Sequence, residues 1–230
     1  MTMRKNRYIK RLLVLGAAML MSCIVSQAQF YEIANQLPQL ISPALSGNAT
    51  YRGVVELSGT AGVGDNRTNF VGISTSQGFQ YSTWFFMGVG AGIDVATSNG
   101  PGDMLNNDNV YYPTNTTNTK AMLPLFSDFR FNIGSQDKLS AFIDLKIGAA
   151  WFLGDDYLAL GGDGCALMGN GAQFYLKPQL GVRIPISSSK PKQAVNIGLT
   201  YQLITSNNNW NWYDNGVSLS SLGLTLGFEW

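Results

Sequence analysis

Residues 217–230 read VSLSSLGLTLGFEW. In an extended chain Leu222, Leu224, Leu226, Phe228 and Trp230 share one face, and Gly223, Thr225, Gly227 and Glu229 share the other, because successive side chains of a strand point to opposite sides. One face is greasy, and the other is built of glycine, a hydroxyl and a charge. The pattern recurs upstream: Phe85, Met87, Val89, Ala91, Ile93 and Val95 stand against Phe86, Gly88, Gly90, Gly92 and Asp94. Ala141, Ile143, Leu145, Ile147, Ala149 and Trp151 likewise oppose Ser140, Phe142, Asp144, Lys146 and Gly148.

From Thr50 onward the chain repeats this unit eight times, each run followed by a cluster of Gly, Asn, Asp or Ser that marks a turn. The runs lie near 50–63, 68–79, 84–97, 121–133, 139–153, 172–186, 193–205 and 217–230. Each reaches or exceeds the roughly 9–11 residues that a tilted strand needs to cross a bilayer, whereas soluble strands average about 5–6. Charged residues are only 13% of the chain, about half of what water-facing domains carry. The spacing predicts an all-β fold: a closed, up-and-down antiparallel transmembrane β-barrel of eight strands.

Alternation alone leaves the direction of the greasy face open, since a soluble lipocalin-like barrel would bury it. Glycine on a water-facing strand weakens it for no gain, but inside a narrow barrel it makes room for bulky neighbours such as Arg130 and Phe142. Aromatic placement agrees. Tyr81, Trp84, Phe85, Phe131, Phe228 and Trp230 are expected at one end and Phe70, Trp151, Phe174 and Tyr201 toward the other, as two girdles at the water interfaces. If the chain enters from the periplasm, connections 98–120, 154–171 and 206–216 lie outside with the short 64–67, and 80–83, 134–138 and 187–192 lie inside. Long outside loops and short inside turns are the habit of membrane barrels. Pro178 falls in the middle of the sixth run, where a closed barrel has no free edge, so a bulge or a later strand start is expected there.

The head of the chain reads as an export signal over residues 1–28. Arg4, Lys5, Arg7, Lys10 and Arg11 precede an apolar stretch from Leu12 to Val25 that ends in Ser26-Gln27-Ala28. Leu20-Met21-Ser22-Cys23 also loosely resembles a lipoprotein box, which would place a lipid on Cys23. Residues 29–48 form a periplasmic N-terminal segment in which residues 31–37 suit a short helix, as plug, cap or leader, and the barrel occupies 49–230. Five of the 15 bases and none of the 14 acids lie in the leader, so the remainder is mildly acidic and has no basic patch for nucleic acid. Cys165 then stands alone, which excludes an intramolecular disulfide framework.

The signal, the eight alternating runs, the long and short connections and the terminal Leu224-x-Leu226-x-Phe228-x-Trp230 together resemble the small eight-stranded outer-membrane barrels of Gram-negative bacteria, typified by the OmpX, opacity-protein and OmpA transmembrane-domain families. The resemblance covers Thr50 to Trp230 and implies localisation in the outer membrane. It also implies that Leu224, Leu226, Phe228 and Trp230 are read by the barrel-assembly machinery. Such barrels differ widely in role, so it implies little about activity.

Candidate chemistry is confined to a few places. The chain has no histidine, which removes Ser-His-Asp, Cys-His and Glu-x-x-His sites, and no enzyme activity and no cofactor are expected. By parity the inward face carries Arg52, Arg130, Lys146, Lys177 and Arg183 against Glu56, Asp94, Asp128, Asp144 and Glu229. Such a set is either an electrostatic gate or a paired core that fills the lumen; the width of eight strands favours the paired core. Loop charges are Asp65, Asp103, Asp108, Asp155, Asp156, Asp163 and Asp214 against Arg67 and Lys120. Stretches 154–156 and 161–164 offer oxygen ligands to divalent cations without the spacing of a known calcium loop, so they read as solvated loops. Trp210, Trp212 and Tyr213 suit a sugar-stacking platform or, preferably, an interfacial anchor. Three functions follow: a non-enzymatic outer-membrane barrel whose loops meet the envelope or an external partner, a narrow channel for ions or small solutes, and a secreted soluble barrel for an apolar ligand.

Overall fold

In the computed structural model the described residues are 49–64, 66–98, 116–160, 166–168, 171–186, 193–206, 209–210 and 217–230. The export signal, Cys23, the 29–48 segment, Cys165, Asp65, Asp103, Asp108, Asp163, Asp214, Trp212 and Tyr213 lie outside them. Among the described residues twelve strands are formed: β1 Thr50–Val63, β2 Thr68–Gln80, β3 Phe85–Ser98, β4 Thr116–Thr117, β5 Thr119–Ile133, β6 Ser140–Phe152, β7 Tyr157–Ala159, β8 Ala166–Met168, β9 Gln173–Pro185, β10 Ala194–Ser206, β11 Asn209–Trp210 and β12 Val217–Glu229.

Eight long strands close into an antiparallel barrel in the order β1-β12-β10-β9-β6-β5-β3-β2. Each is 13–15 residues long. Sequence neighbours pair throughout, and β1 joins β12 in the register Glu56↔Gly227 and Ser58↔Thr225. The seam is locked at its end by Gly53, whose N–H donates to the Trp230 carbonyl at 3.1 Å while the Trp230 N–H returns a bond of 3.0 Å. Closure leaves no strand edge, which is the condition for a sheet to sit in hydrocarbon.

The greasy face points outward. Leu57, Val71, Ile73, Ile93, Leu125, Ile143, Leu180, Leu199, Leu222, Leu224 and Leu226 are exposed, and every charged residue of the barrel strands is buried in the lumen. A soluble barrel has the opposite arrangement, so the ligand-binding soluble alternative does not hold. The chain is a membrane-spanning β-barrel of the outer-membrane type. Aromatic rings gather at the short-turn end, where Trp84 stacks on Phe131 at 6.0 Å, Phe85 lies 5.2 Å from Phe131, and Phe228 stacks on Trp230 at 6.1 Å. At the other end Phe174 is exposed and the Tyr201 hydroxyl donates to Ser220 Oγ at 2.9 Å.

Two sequence expectations are corrected. Phe70 is not a girdle residue: it is 2% exposed and turned into the lumen. Pro178 makes no bulge. The register between β10 and β9 is the same on both sides of it (Thr200↔Gln179, Leu203↔Leu176), although the ladder lapses at Pro178 itself, and on the other side Leu145↔Pro178 holds the β6 register. Proline can stay in line because only one of its two neighbouring ladders loses a donor, and the Thr200 hydroxyl donates to the Pro178 carbonyl at 3.3 Å.

The connections at the loop end are not plain loops. β4, β7, β8 and β11 form a second sheet in the order β11-β8-β7-β4, with β4 parallel to β7 and the other pairs antiparallel.

Candidate functional site: the lumen and its two ends

The lumen is built by the inward positions of all eight strands. Glycines give it width. A Cβ on Gly181 would stand 2.7 Å from Phe142 Cζ, and one on Gly88 would stand 2.8 Å from Phe86 Cζ, so the large rings fill space that these positions leave open. Arg130 in turn lies with Cζ 4.8 Å from the centroid of Phe142, a cation–π contact inside the barrel.

The ten residues Arg52, Glu56, Asp94, Asp128, Arg130, Asp144, Lys146, Lys177, Arg183 and Glu229 all lie within this lumen, each 3% exposed or less. Adjacent strands bring most of them together. Arg130 faces Asp144 across β5 and β6, and Lys146 faces Asp128 in the same ladder. Arg130 Nη2 donates to Asp144 Oδ2 at 2.7 Å and to Glu56 Oε1 at 2.8 Å. Lys146 Nζ reaches Asp144 and Glu56 at 2.7 Å each and Asp128 at 4.0 Å. Nearer the short-turn end, Glu229 accepts from Arg52 and from Arg183 Nε at 3.1 Å. Lys177 and Asp94 stand apart from these clusters: Lys177 donates to Ser58 Oγ at 2.8 Å, and Asp94 accepts from Gln202 at 3.5 Å.

Sequence reading missed three parts of the site. Lys120, taken as a loop charge, is a buried inward residue of β5 whose Nζ donates to the Asp156 carbonyl, so it ties the barrel rim to the chain before β7. Gln136 lies in the turn between β5 and β6 and closes the short-turn end. Its Oε1 accepts from Arg52 Nη2 at 2.6 Å, its carbonyl accepts from Arg183 Nη1 at 2.7 Å, and its Nε2 donates to the Thr83 carbonyl at 2.9 Å. Beside it Gly134 adopts φ +119°, a region open to glycine, and the Ser135 hydroxyl donates to Asp137, holding that carboxyl below its usual pKa.

The third part is an apolar core at the loop end, comprising Phe70, Ala96, Met122, Phe126, Ala150, Phe152, Tyr175, Ile204, Val217 and Leu219 from the barrel wall and Leu158 and Leu160 from the β7 segment. Phe126 stacks on Tyr175 at 5.8 Å within it. Its signal was present in the sequence as a local loss of alternation: Met122-Leu123-Pro124-Leu125-Phe126 and Ala149-Ala150-Trp151-Phe152 are apolar on both faces. The lumen thus has a charged cluster toward the short turns and, toward the loop end, an apolar cluster that includes Leu158 and Leu160 of the β7 segment. Asp155 and Asp156 are both exposed at its rim, and among the described residues no group of three or more His, Cys, Asp or Glu stands close enough to hold a metal ion.

No protein-family model matches the chain, and no curated protein matches it by sequence. Among solved structures it is similar to Neisserial surface protein A, with TM-score 0.49 and 9% identity over 79% of this chain and 97% of that one. It is similar also to the outer membrane enzyme PagL, with TM-score 0.47 and 17% identity over 76% of this chain and 97% of that one. A third is the N-terminal β-barrel domain of Pseudomonas aeruginosa OprF, with TM-score 0.39 and 10% identity over 79% and 99%. These likenesses assign no residue a role.

Proposed function

We propose that this chain is a non-enzymatic barrel of the outer membrane that holds its long connections at the cell surface, where they meet the envelope or an external partner. The observation that carries the reading is the division of labour between the two ends. The lumen is filled by paired charges and an apolar core, while the long connections build a separate sheet beyond the barrel. A filled lumen serves as scaffold, and the surface that remains for recognition is the loop sheet. The outward row Leu222, Leu224, Leu226, Phe228 and Trp230 is exposed, which suits contact with lipid and recognition by the assembly machinery. Divalent cations remain candidate ligands for the acidic outer connections.

The test has two arms. In planar bilayers the folded protein is expected to give no steady conductance, and large stable steps would return the narrow-channel reading. On intact cells, in a Cys165→Ser background, a membrane-impermeant maleimide is expected to label Asp155→Cys but not Ser135→Cys, which lies in the short turn. The reverse labelling would overturn the surface assignment.

A further inference from the structure

We propose that the outer face of β2, with its neighbours β3 and β5, is the interface at which two copies of this chain pair within the membrane. Much of the outer wall is hydrocarbon: Leu180, Leu199 and Leu224 on β9, β10 and β12 are 58%, 59% and 61% exposed. On β2 and β5 the outward positions instead include Thr75, Gln77 and Ser127. Counted from the strand ends at Gln80 and Ile133 they lie five, three and six residues in. That is about 13, 8 and 15 Å along the membrane normal, for a rise of about 3.3 Å per residue and a tilt of about 40°. An apolar band about 25 Å tall therefore surrounds all three, and hydrocarbon offers an amide or a hydroxyl no hydrogen bond.

The register places them on one patch. Gln77 pairs with Val89 and Val89 with Ser127, while Thr75 pairs with Ala91, so the polar groups form two adjoining rows across three strands. Thr75 and Gln77 are also bonded to each other. The Tyr51 hydroxyl donates to Gln77 Oε1, Gln77 Nε2 donates to Thr75 Oγ1 at 2.8 Å, and the Thr75 hydroxyl donates to the Val54 carbonyl at 3.1 Å. This ladder fixes the Gln77 amide on the outer wall and uses one of its two donors and one of its two acceptor lone pairs.

What remains of that amide selects the partner. One N–H and one lone pair on the same group are self-complementary: across a two-fold axis the Gln77 of one copy can donate to the Gln77 of the other and accept in return, which is the condition of an isologous contact. Lipid tails supply neither bond. Every charged residue of the barrel strands is buried in the lumen, so a charged partner finds no counter-charge on this face. The small side chain of Ala91 beside Thr75 lets a second wall approach closely, as small residues do where membrane segments pack. The wall of β9, β10 and β12 has neither feature and is left to lipid.

Disulfide cross-linking of the mature chain folded in phosphatidylcholine vesicles tests this, with single cysteines in a Cys165→Ser background and copper phenanthroline as oxidant. Val89→Cys, between Gln77 and Ser127, is expected to give a covalent dimer on non-reducing gels, and Leu199→Cys, on the lipid-facing wall of β10, to stay monomeric. A monomer at Val89→Cys, or equal cross-linking at both positions, would overturn the proposal, the second because it reports random collision. Gln77→Leu suits lipid better than the native residue and removes the amide. Added to Val89→Cys it should lower the dimer yield at least fivefold in a barrel that still migrates as folded, and an unchanged yield would also overturn the pairing. If Gln77→Leu fails to fold, the contrast between Val89→Cys and Leu199→Cys decides alone.

Discussion

Arg130 Nη2 sits 2.7 Å from Asp144 Oδ2, in a cross-strand pair of β5 and β6 whose two side chains are almost wholly removed from solvent. The same guanidinium holds Glu56 on the far wall at 2.8 Å, so a single base satisfies acids from two sides of the barrel. Arg130→Ala leaves both carboxylates buried with less compensation, and removal of one partner from such a pair costs about 3–5 kcal/mol. Urea unfolding of the refolded barrel checks this. A loss under about 1 kcal/mol would mean that Lys146, which contacts the same two acids at 2.7 Å, suffices by itself.

Substitution on the two faces of β12 is expected to fail for different reasons. Leu224 is 61% exposed on the outer face, and Leu224→Arg should cost roughly 2–4 kcal/mol near the bilayer midplane. At Gly223 a Cβ would lie 2.5 Å from Thr60 Cα, and backbone does not yield, so Gly223→Leu should prevent closure of the β1–β12 seam whatever the lipid. Folding yields in bilayers of different thickness separate the two, because only the Leu224→Arg penalty depends on depth. Single spin labels from Ser221 to Glu229 should alternate in accessibility to oxygen dissolved in lipid, high at even positions.

Gln136, in the turn between β5 and β6, meets two lumen arginines, Arg52 through its side-chain Oε1 and Arg183 through its backbone carbonyl. Gln136→Ala removes the acceptor of Arg52 Nη2 and is expected to lower stability by about 1.5–3 kcal/mol, the usual worth of a hydrogen bond to a charged group. Because Arg52 keeps Glu229, the fold should survive, and a denaturation midpoint shifted without a change in slope is the expected readout. A variant as stable as the wild type would remove Gln136 from the closure.

Leu158 joins the second sheet to the barrel. It is fully buried among residues of the lumen's apolar core, and Leu158→Asp would place a charge there. The β7 segment should then detach while the barrel remains closed. Limited proteolysis is expected to cut within 153–172 more readily in the variant, with gel migration of the barrel unchanged. Equal resistance in both proteins would show that the Lys120 tie to Asp156 holds the segment without Leu158.

The eight strands, their ends to within two residues and the direction of their faces were legible in the sequence because the side-chain period of a strand is two and hydrocarbon accepts no charge. The inward parity of Arg130 and Asp144 follows from that period as well. What the period cannot carry is information across strands. Gln136 lies in a turn with no pattern, Lys120 stands at a strand end where alternation is just beginning, and Pro178 kept its place because the tertiary ladder with β6 tolerated a missing donor with β10. Phe70 lies inward beside Ala96 and Thr60, where it joins the apolar cluster at the loop end of the lumen. The sequence by itself determined a closed membrane barrel with its charges inside. Only the tertiary structure decided which charges meet, where the apolar cluster of the lumen gathers, and how the long connections form a second sheet, because those depend on register and closure between segments far apart in the chain.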